Sequence, residues 1–151
     1  MKKIKKALIS VSDKKNLKDI LKVLAKYKIE IISSGGTYKK IKKLKFKCLE
    51  VSKYTNSPEI LGGRVKTLHP KIHAGLLSKR NNKSHKKDLK NNNFDEIDLV
   101  IVNFYPFEKT IKQTNNHLKI VENIDIGGPT MVRAAAKNYN DVTVITSTDQ
   151  Y

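Results

Sequence analysis

Four apolar residues, Leu99-Val100-Ile101-Val102, follow one another between Asp98 and Asn103 with no polar side chain among them. A strand with one wet face alternates apolar and polar residues, so an unbroken run needs cover on both faces. Ala7-Leu8-Ile9-Ser10-Val11 and Ile29-Glu30-Ile31-Ile32 are further short, β-rich runs. Between these two, Leu17, Ile20, Leu21 and Leu24 carry the spacing of one helix face. The pattern continues with a Lys-rich helix over Tyr38–Leu44, a strand over Phe46–Val51 and a helix with a frayed end over 81–93. A strand over Leu99–Tyr105 stopped by Pro106, a helix over 129–138 and a strand over Val142–Ile145 complete it. Strands alternating with helices predict an α/β fold: three layers, a mostly parallel sheet with helices on both faces. The 151 residues suit one domain, with no internal repeat or linker.

Charge is the loudest compositional signal, 31 basic against 14 acidic residues for a net +17. Nucleic acid is not the partner it implies. Only Arg64, Arg80 and Arg133 carry the bidentate fork that base and phosphate recognition favours, and no aromatic residues interleave the lysines. Lys39 to Lys45 reads as an amphipathic helix with a solvated lysine face, and Lys and Asn are in excess together. No apolar run approaches the ~18–20 residues of a membrane span. In the basic start Met1 to Lys6, only Ala7, Leu8 and Ile9 follow before Ser10, too short for a signal peptide's apolar stretch. One cysteine, Cys48, makes no internal disulfide, which fits a reducing, cytoplasmic setting.

In open parallel sheets ligands bind beyond the carboxyl ends of the strands. Ser12-Asp13-Lys14, Ser34-Gly35-Gly36-Thr37 and Asn103-Phe104-Tyr105 occupy those ends. Ser34 to Thr37 follows a strand and opens a helix, so glycines and helix-start N–H groups suit an anion, although a plain turn has the same composition. Neither G-x-G-x-x-G nor G-x-x-x-x-G-K-[ST] is present, so a dinucleotide or a triphosphate is not indicated. In Gly62-Gly63-Arg64-Val65-Lys66-Thr67-Leu68-His69-Pro70, a fork, a point charge and a hydroxyl fall within four residues, which favours a clamp for a phosphate monoester over a plain surface loop of a lysine-rich chain. His69 and His73 are four apart but Pro70 lies between them and the glutamate of H-E-x-x-H is missing, so no metal is expected.

Ile124-Asp125-Ile126-Gly127-Gly128-Pro129-Thr130 leads into a helix expected to turn Met131, Val132, Ala135 and Ala136 to the sheet. Lys137 ends its alanine run beside Arg133 at i and i+4. Partial burial near another cation would lower its pKa and make it a usable base. A cation favoured by the helix C-terminus explains the same residue equally well.

Taken in order, Ile9-Ser10-Val11-Ser12-Asp13-Lys14, Ser34 to Thr37, Gly63-Arg64-Val65-Lys66-Thr67-Leu68-His69-Pro70, Asn103-Phe104-Tyr105-Pro106-Phe107 and Ile124 to Asn138 form one series. It resembles the N-terminal, IMP cyclohydrolase domain of the bifunctional purine-biosynthesis family, AICAR formyltransferase/IMP cyclohydrolase. The resemblance implies a methylglyoxal-synthase-like fold and ring closure of 5-formamidoimidazole-4-carboxamide ribonucleotide to IMP, with loss of water and no cofactor. It implies a purine ribonucleotide bound by Ser12, Asp13, Lys14, Ser34, Gly35, Gly36, Thr37, Arg64, Val65, Lys66 and Thr67. Val102 and Asn103 would line the base region, with Asp125 and Ile126 opposite. Lys137 matches the family's proton-transferring lysine, and Lys66, Tyr105 and Asp125 its supporting catalytic groups. Tyr139 stands where the family usually has His. The resemblance further implies a cytoplasmic homodimer. Residues 1–151 would then be one cyclohydrolase domain lacking its C-terminal end, with the formyltransferase domain outside this chain. Two other uses of the fold remain as alternatives, a phosphate lyase of the methylglyoxal synthase type and a regulatory domain that binds nucleotides without turnover.

Overall fold

Each of the strands expected from the apolar runs is present in the computed structural model, which describes residues 3–151; Met1 and Lys2 of the basic start lie outside the described residues. The order is β1 (Lys6–Val11), α1 (Leu17–Lys26), β2 (Glu30–Ser33), α2 (Gly35–Lys43), β3 (Leu49–Glu50), α3 (Val51–Thr55), a 3-10 turn (Leu61–Gly63), α4 (Pro70–Leu77) and α5 (Lys83–Asn91). Then come β4 (Leu99–Asn103), α6 (Phe107–Gln113), α7 (His117–Glu122), α8 (Gly127–Lys137), β5 (Thr143–Ile145) and a last 3-10 turn (Thr148–Gln150). The strands lie in the order β3-β2-β1-β4-β5, and every neighbouring pair is parallel.

Register explains the unbroken apolar runs. Leu8 lies opposite Ile32 on one side and Val100 on the other, and Val100 opposite Val144. That row faces α3, α4 and α8, where it packs with Tyr54, Ile72, Leu76, Met131 and Ala135. The alternate row, Ala7, Ile9, Ile31, Leu99 and Ile101, packs on the other face with Leu17, Leu21 and Leu24 of α1 and Ile41 of α2. Side chains of period two cannot leave either face wet, and the three-layer α/β architecture follows.

Two expectations need correction. The strand over Phe46–Val51 is only Leu49–Glu50, because Val51, 1% exposed, already begins α3 and points into the core. On α8 Met131, Ala134 and Ala135 are buried against the sheet and Val132 packs partly buried beside them, while Ala136 is exposed. The helix starts at Gly127, which sets the phase of its buried stripe.

The junction of α4 with the sheet is pinned by polar side chains that satisfy the carbonyls a helix end leaves open. Arg80 donates to the carbonyls of Gly75 at 3.2 Å, Ser78 at 2.7 Å and Ile97 at 2.8 Å. The buried Asn138 amide donates to those of Leu76 at 2.8 Å and Ser78 at 2.9 Å. One of the three arginines is thereby structural. The chain runs from β1 outward through β2 and β3, then returns to the other side of β1 as β4, so the strand order reverses at β1 and β4. Loops leaving such a point diverge and open a crevice.

Candidate functional site

A cavity of about 570 Å³ opens at that reversal. Thirteen residues singled out in the sequence line it: Ser12, Lys14, Ser34, Gly35, Gly36, Thr37, Arg64, Lys66, Thr67, Asn103, Tyr105, Asp125 and Ile126. They come from five separate segments of the chain.

The floor is tied into the sheet. Thr37, in the first turn of α2, accepts a hydrogen bond from the Val11 N–H at 3.1 Å and donates to the Val11 carbonyl at 2.9 Å. The Ser33 hydroxyl donates to the Ile9 carbonyl at 2.7 Å. Asn103, closing β4, accepts from the N–H groups of Ser12 at 2.6 Å and Asp13 at 2.9 Å and donates to the Asp13 carbonyl at 2.8 Å. The ends of β1, β2 and β4 are thus locked together by side chains that a continuing strand would replace with backbone bonds.

Two ammonium groups converge on the start of α2. Lys14 Nζ donates to the carbonyls of Val11 at 3.2 Å and Ser12 at 3.0 Å, and lies 4.0 Å from where a Cβ on Gly36 would stand. Lys66 Nζ lies 2.8 Å from the Cβ position of Gly35, whose φ of +53° is itself a glycine conformation. A Cβ at Gly35 would push the end of Lys66 aside. Helix-start N–H groups with two cations above them form an anion cradle, and Arg64 adds a third cation on the cavity lining.

The opposite side is the start of α8. The Asp125 carboxylate accepts from the Gly128 N–H at 2.9 Å, closing one of the helix's open donors. A Cβ on Gly128 would come within 2.6 Å of Asp125 Oδ2, and one on Gly127 would overlap Thr67 Oγ1. The double glycine therefore exists for close approach. His73 backs this corner through a backbone hydrogen bond with Thr67; burial lowers the His73 pKa below the ordinary histidine value, against that bond, which raises it. His69 Nδ1 accepts from the Lys71 N–H at 3.1 Å and caps α4. Among the described residues, no group of three or more His, Cys, Asp and Glu is placed to hold a metal. Burial pushes the Cys48 thiol up to about 12, so it is no thiolate nucleophile at neutral pH.

Four of the sequence-selected residues do not line the cavity. Val102 is 1% exposed, in the core beneath it. Asp13 turns along its own loop, accepting from the Lys15 N–H at 2.9 Å. Val65 faces a neighbouring cavity of about 180 Å³ that shares Ser34 and Lys66 with the main one. Lys137 is exposed at the far end of α8, so the burial considered for it is absent. Ten residues of helix rise put it about 15 Å along the axis from Gly127.

The structure adds residues that carried no local signal. Val121 and Glu122 at the end of α7 line the cavity, and Glu122 forms an ion pair with Arg64. Only the folding of the segment 104–126 over the strand ends brings them there.

A parallel α/β sheet covered by helices on both faces, with a cavity at its reversal point, defines the class of this protein, and a family model matches it. The MGS-like domain matches residues 16–130, and the chain belongs to that family. Among curated relatives it is 54% identical, over 96% of its length, to the bifunctional purine biosynthesis protein PurH of Prochlorococcus marinus (strain MIT 9301). It is 52% identical, over 98% of its length, to PurH of Acetivibrio thermocellus. It spans 28% and 29% of those two relatives. A crystal structure of ForH superposes with a TM-score of 0.85 at 28% identity, covering 99% of this chain and 76% of that one.

Proposed function

We propose that this chain acts in purine biosynthesis as an IMP cyclohydrolase domain, closing 5-formamidoimidazole-4-carboxamide ribonucleotide to IMP with release of water. The observation that carries this reading is the convergence of Lys14 and Lys66 on Gly35-Gly36, across one cavity from the Asp125-capped start of α8. Similarity to PurH proteins supplies the substrate class.

In this mechanism the substrate phosphate sits on the α2 cradle, held by Lys14, Lys66 and Arg64. The base lies towards Asn103, Tyr105, Asp125 and Ile126. The carboxamide nitrogen attacks the formyl carbon, one C–N bond forms, and the nitrogen loses a proton while the carbonyl oxygen gains one. The C–O bond then breaks, the oxygen takes a second proton and leaves as water, and the former formamide nitrogen gives up its proton as the C=N bond of the aromatic ring forms. Both reacting groups belong to one molecule, so holding the folded conformer contributes up to ~7–11 kcal/mol of orientation. The Gly127 N–H, the donor at the start of α8 that Asp125 leaves open, meets the charge that develops on oxygen, and Tyr105 relays a proton. Proton transfer by Lys137 requires a second copy of the chain to bring that ammonium to the cavity, since α8 separates the two within one copy. A homodimer is part of this proposal.

The test is to supply the purified chain with the formylated ribonucleotide and follow IMP by absorbance, with dihydroxyacetone phosphate as control. IMP formation is expected. Phosphate release from the triose phosphate alone would reassign the chain to lyase chemistry, and IMP binding without turnover would make it a regulatory domain.

A further inference from the structure

Arg64 and Glu122 both line the cavity, one on the loop before α4 and the other the last residue of α7. Among the described residues, theirs is the one ion pair whose two partners both line the cavity. The remaining charges on the lining are Lys14, Lys66 and Asp125. Asp125 is engaged by the Gly128 N–H, and Lys14 by two carbonyls. Glu122 has no such tie to the body of the protein: α7 and its neighbour α6 bury none of their residues. A guanidinium fork that accepts a carboxylate accepts a phosphate in the same geometry, and the phosphate carries more charge.

We propose that Glu122 is a positioning residue that pairs with the Arg64 guanidinium and is exchanged for the ligand's phosphate. This rests on the nucleotide reading of the cavity. The exchange has two consequences. Arg64 is held over the mouth before ligand arrives, and phosphate binding releases the end of α7 from the cavity wall. Glu122 also sets a threshold for the anion: a ligand must outbid a carboxylate already in place, which a dianionic phosphate monoester does better than a monoanion.

Inorganic phosphate binding measured by calorimetry on the wild-type chain, Glu122→Gln, Arg64→Ala and the double variant tests this. Both side chains are more than half exposed, 64% for Arg64 and 57% for Glu122, so the substitutions leave the core intact, which circular dichroism verifies. Glu122→Gln should tighten phosphate about two- to fivefold, the range that the strength of an exposed ion pair allows. In the Arg64→Ala background the same change should give no gain, because no guanidinium remains to be freed. An equal gain in both backgrounds would mean that Glu122 acts only through its general field, and the exchange is overturned. Unchanged or weaker binding in Glu122→Gln overturns it too. Phosphate binding by neither wild type nor Glu122→Gln sinks the nucleotide reading together with the exchange, whereas the first two failures leave that reading standing.

Discussion

The two sides of the cavity are built in opposite ways. The α2 side is part of the sheet: Thr37 is 4% exposed and its hydroxyl is fully used in holding the end of β1. The side formed by α6 and α7 buries no residue of either helix, and Phe104, Tyr105, Phe107, Ile111, Leu118, Val121, Ile124 and Ile126 all stand exposed. A phosphate cradle gains from rigidity, because donors fixed in advance lose no freedom on binding. On the nucleotide reading, a wall that admits and releases the ligand would not share that demand: the sheet side would hold charge in place and the α6–α7 side would change partner.

The strongest challenge to this contrast is Lys66→Ala. Loss of a charge-assisted contact in the cradle should weaken IMP binding by roughly 1.5–3 kcal/mol, about 10- to 100-fold by calorimetry; an unchanged affinity would move the phosphate elsewhere. Thr37→Val keeps the shape but leaves the buried N–H of Val11 without its side-chain acceptor. It should cost about 1–3 kcal/mol in urea denaturation. Gly35→Ala forces a Cβ into a left-handed conformation and against Lys66, with an expected loss of about 1–2 kcal/mol and a weaker cradle. A smaller effect belongs to His73, whose folded pKa lies below its ordinary 6.5. Its folded state binds fewer protons than the unfolded one, so its stability contribution is complete above about 6.5 and falls away as pH drops towards the folded value. Denaturation at pH 7.5 and 5 should show a shallower decline for His73→Gln than for wild type. Leu118→Ser, at a position 76% exposed on α7, should change stability by no more than about 0.5 kcal/mol. A loss of several times that would show α7 to be packed into the body, and the contrast would fail.

Legibility followed the range of the interactions. The unbroken run at Leu99–Val102 and the face of α1 were plain, because periodicity is local and reports burial directly. The extent of β3 was not, since Val51 serves the core as well from a helix as from a strand. The short helices α3, α4, α6 and α7 escaped notice: each lasts one or two turns, and α6 and α7 have no buried stripe to repeat. At the site, Gly35, Gly36, Arg64 and Lys66 were visible because glycine and arginine are scarce in a lysine-rich chain. Glu122, an ordinary glutamate in a polar segment, was invisible until the fold set it beside Arg64 on the cavity lining.

By itself the sequence determined the parallel α/β sheet, through strands too apolar to have a wet face, and the composition of the anion cradle, through Gly-Gly and basic residues at strand ends. Tertiary structure alone decided which groups meet. Lys14, Lys66 and the α2 start converge because the strand order reverses at β1 and β4. Lys137 is held a helix length from Gly127-Gly128 by the rise of α8 itself, and no fold of this one chain brings it back to them. Proximity along the chain is set by covalent bonds; proximity in the site is set by packing, which no local pattern encodes.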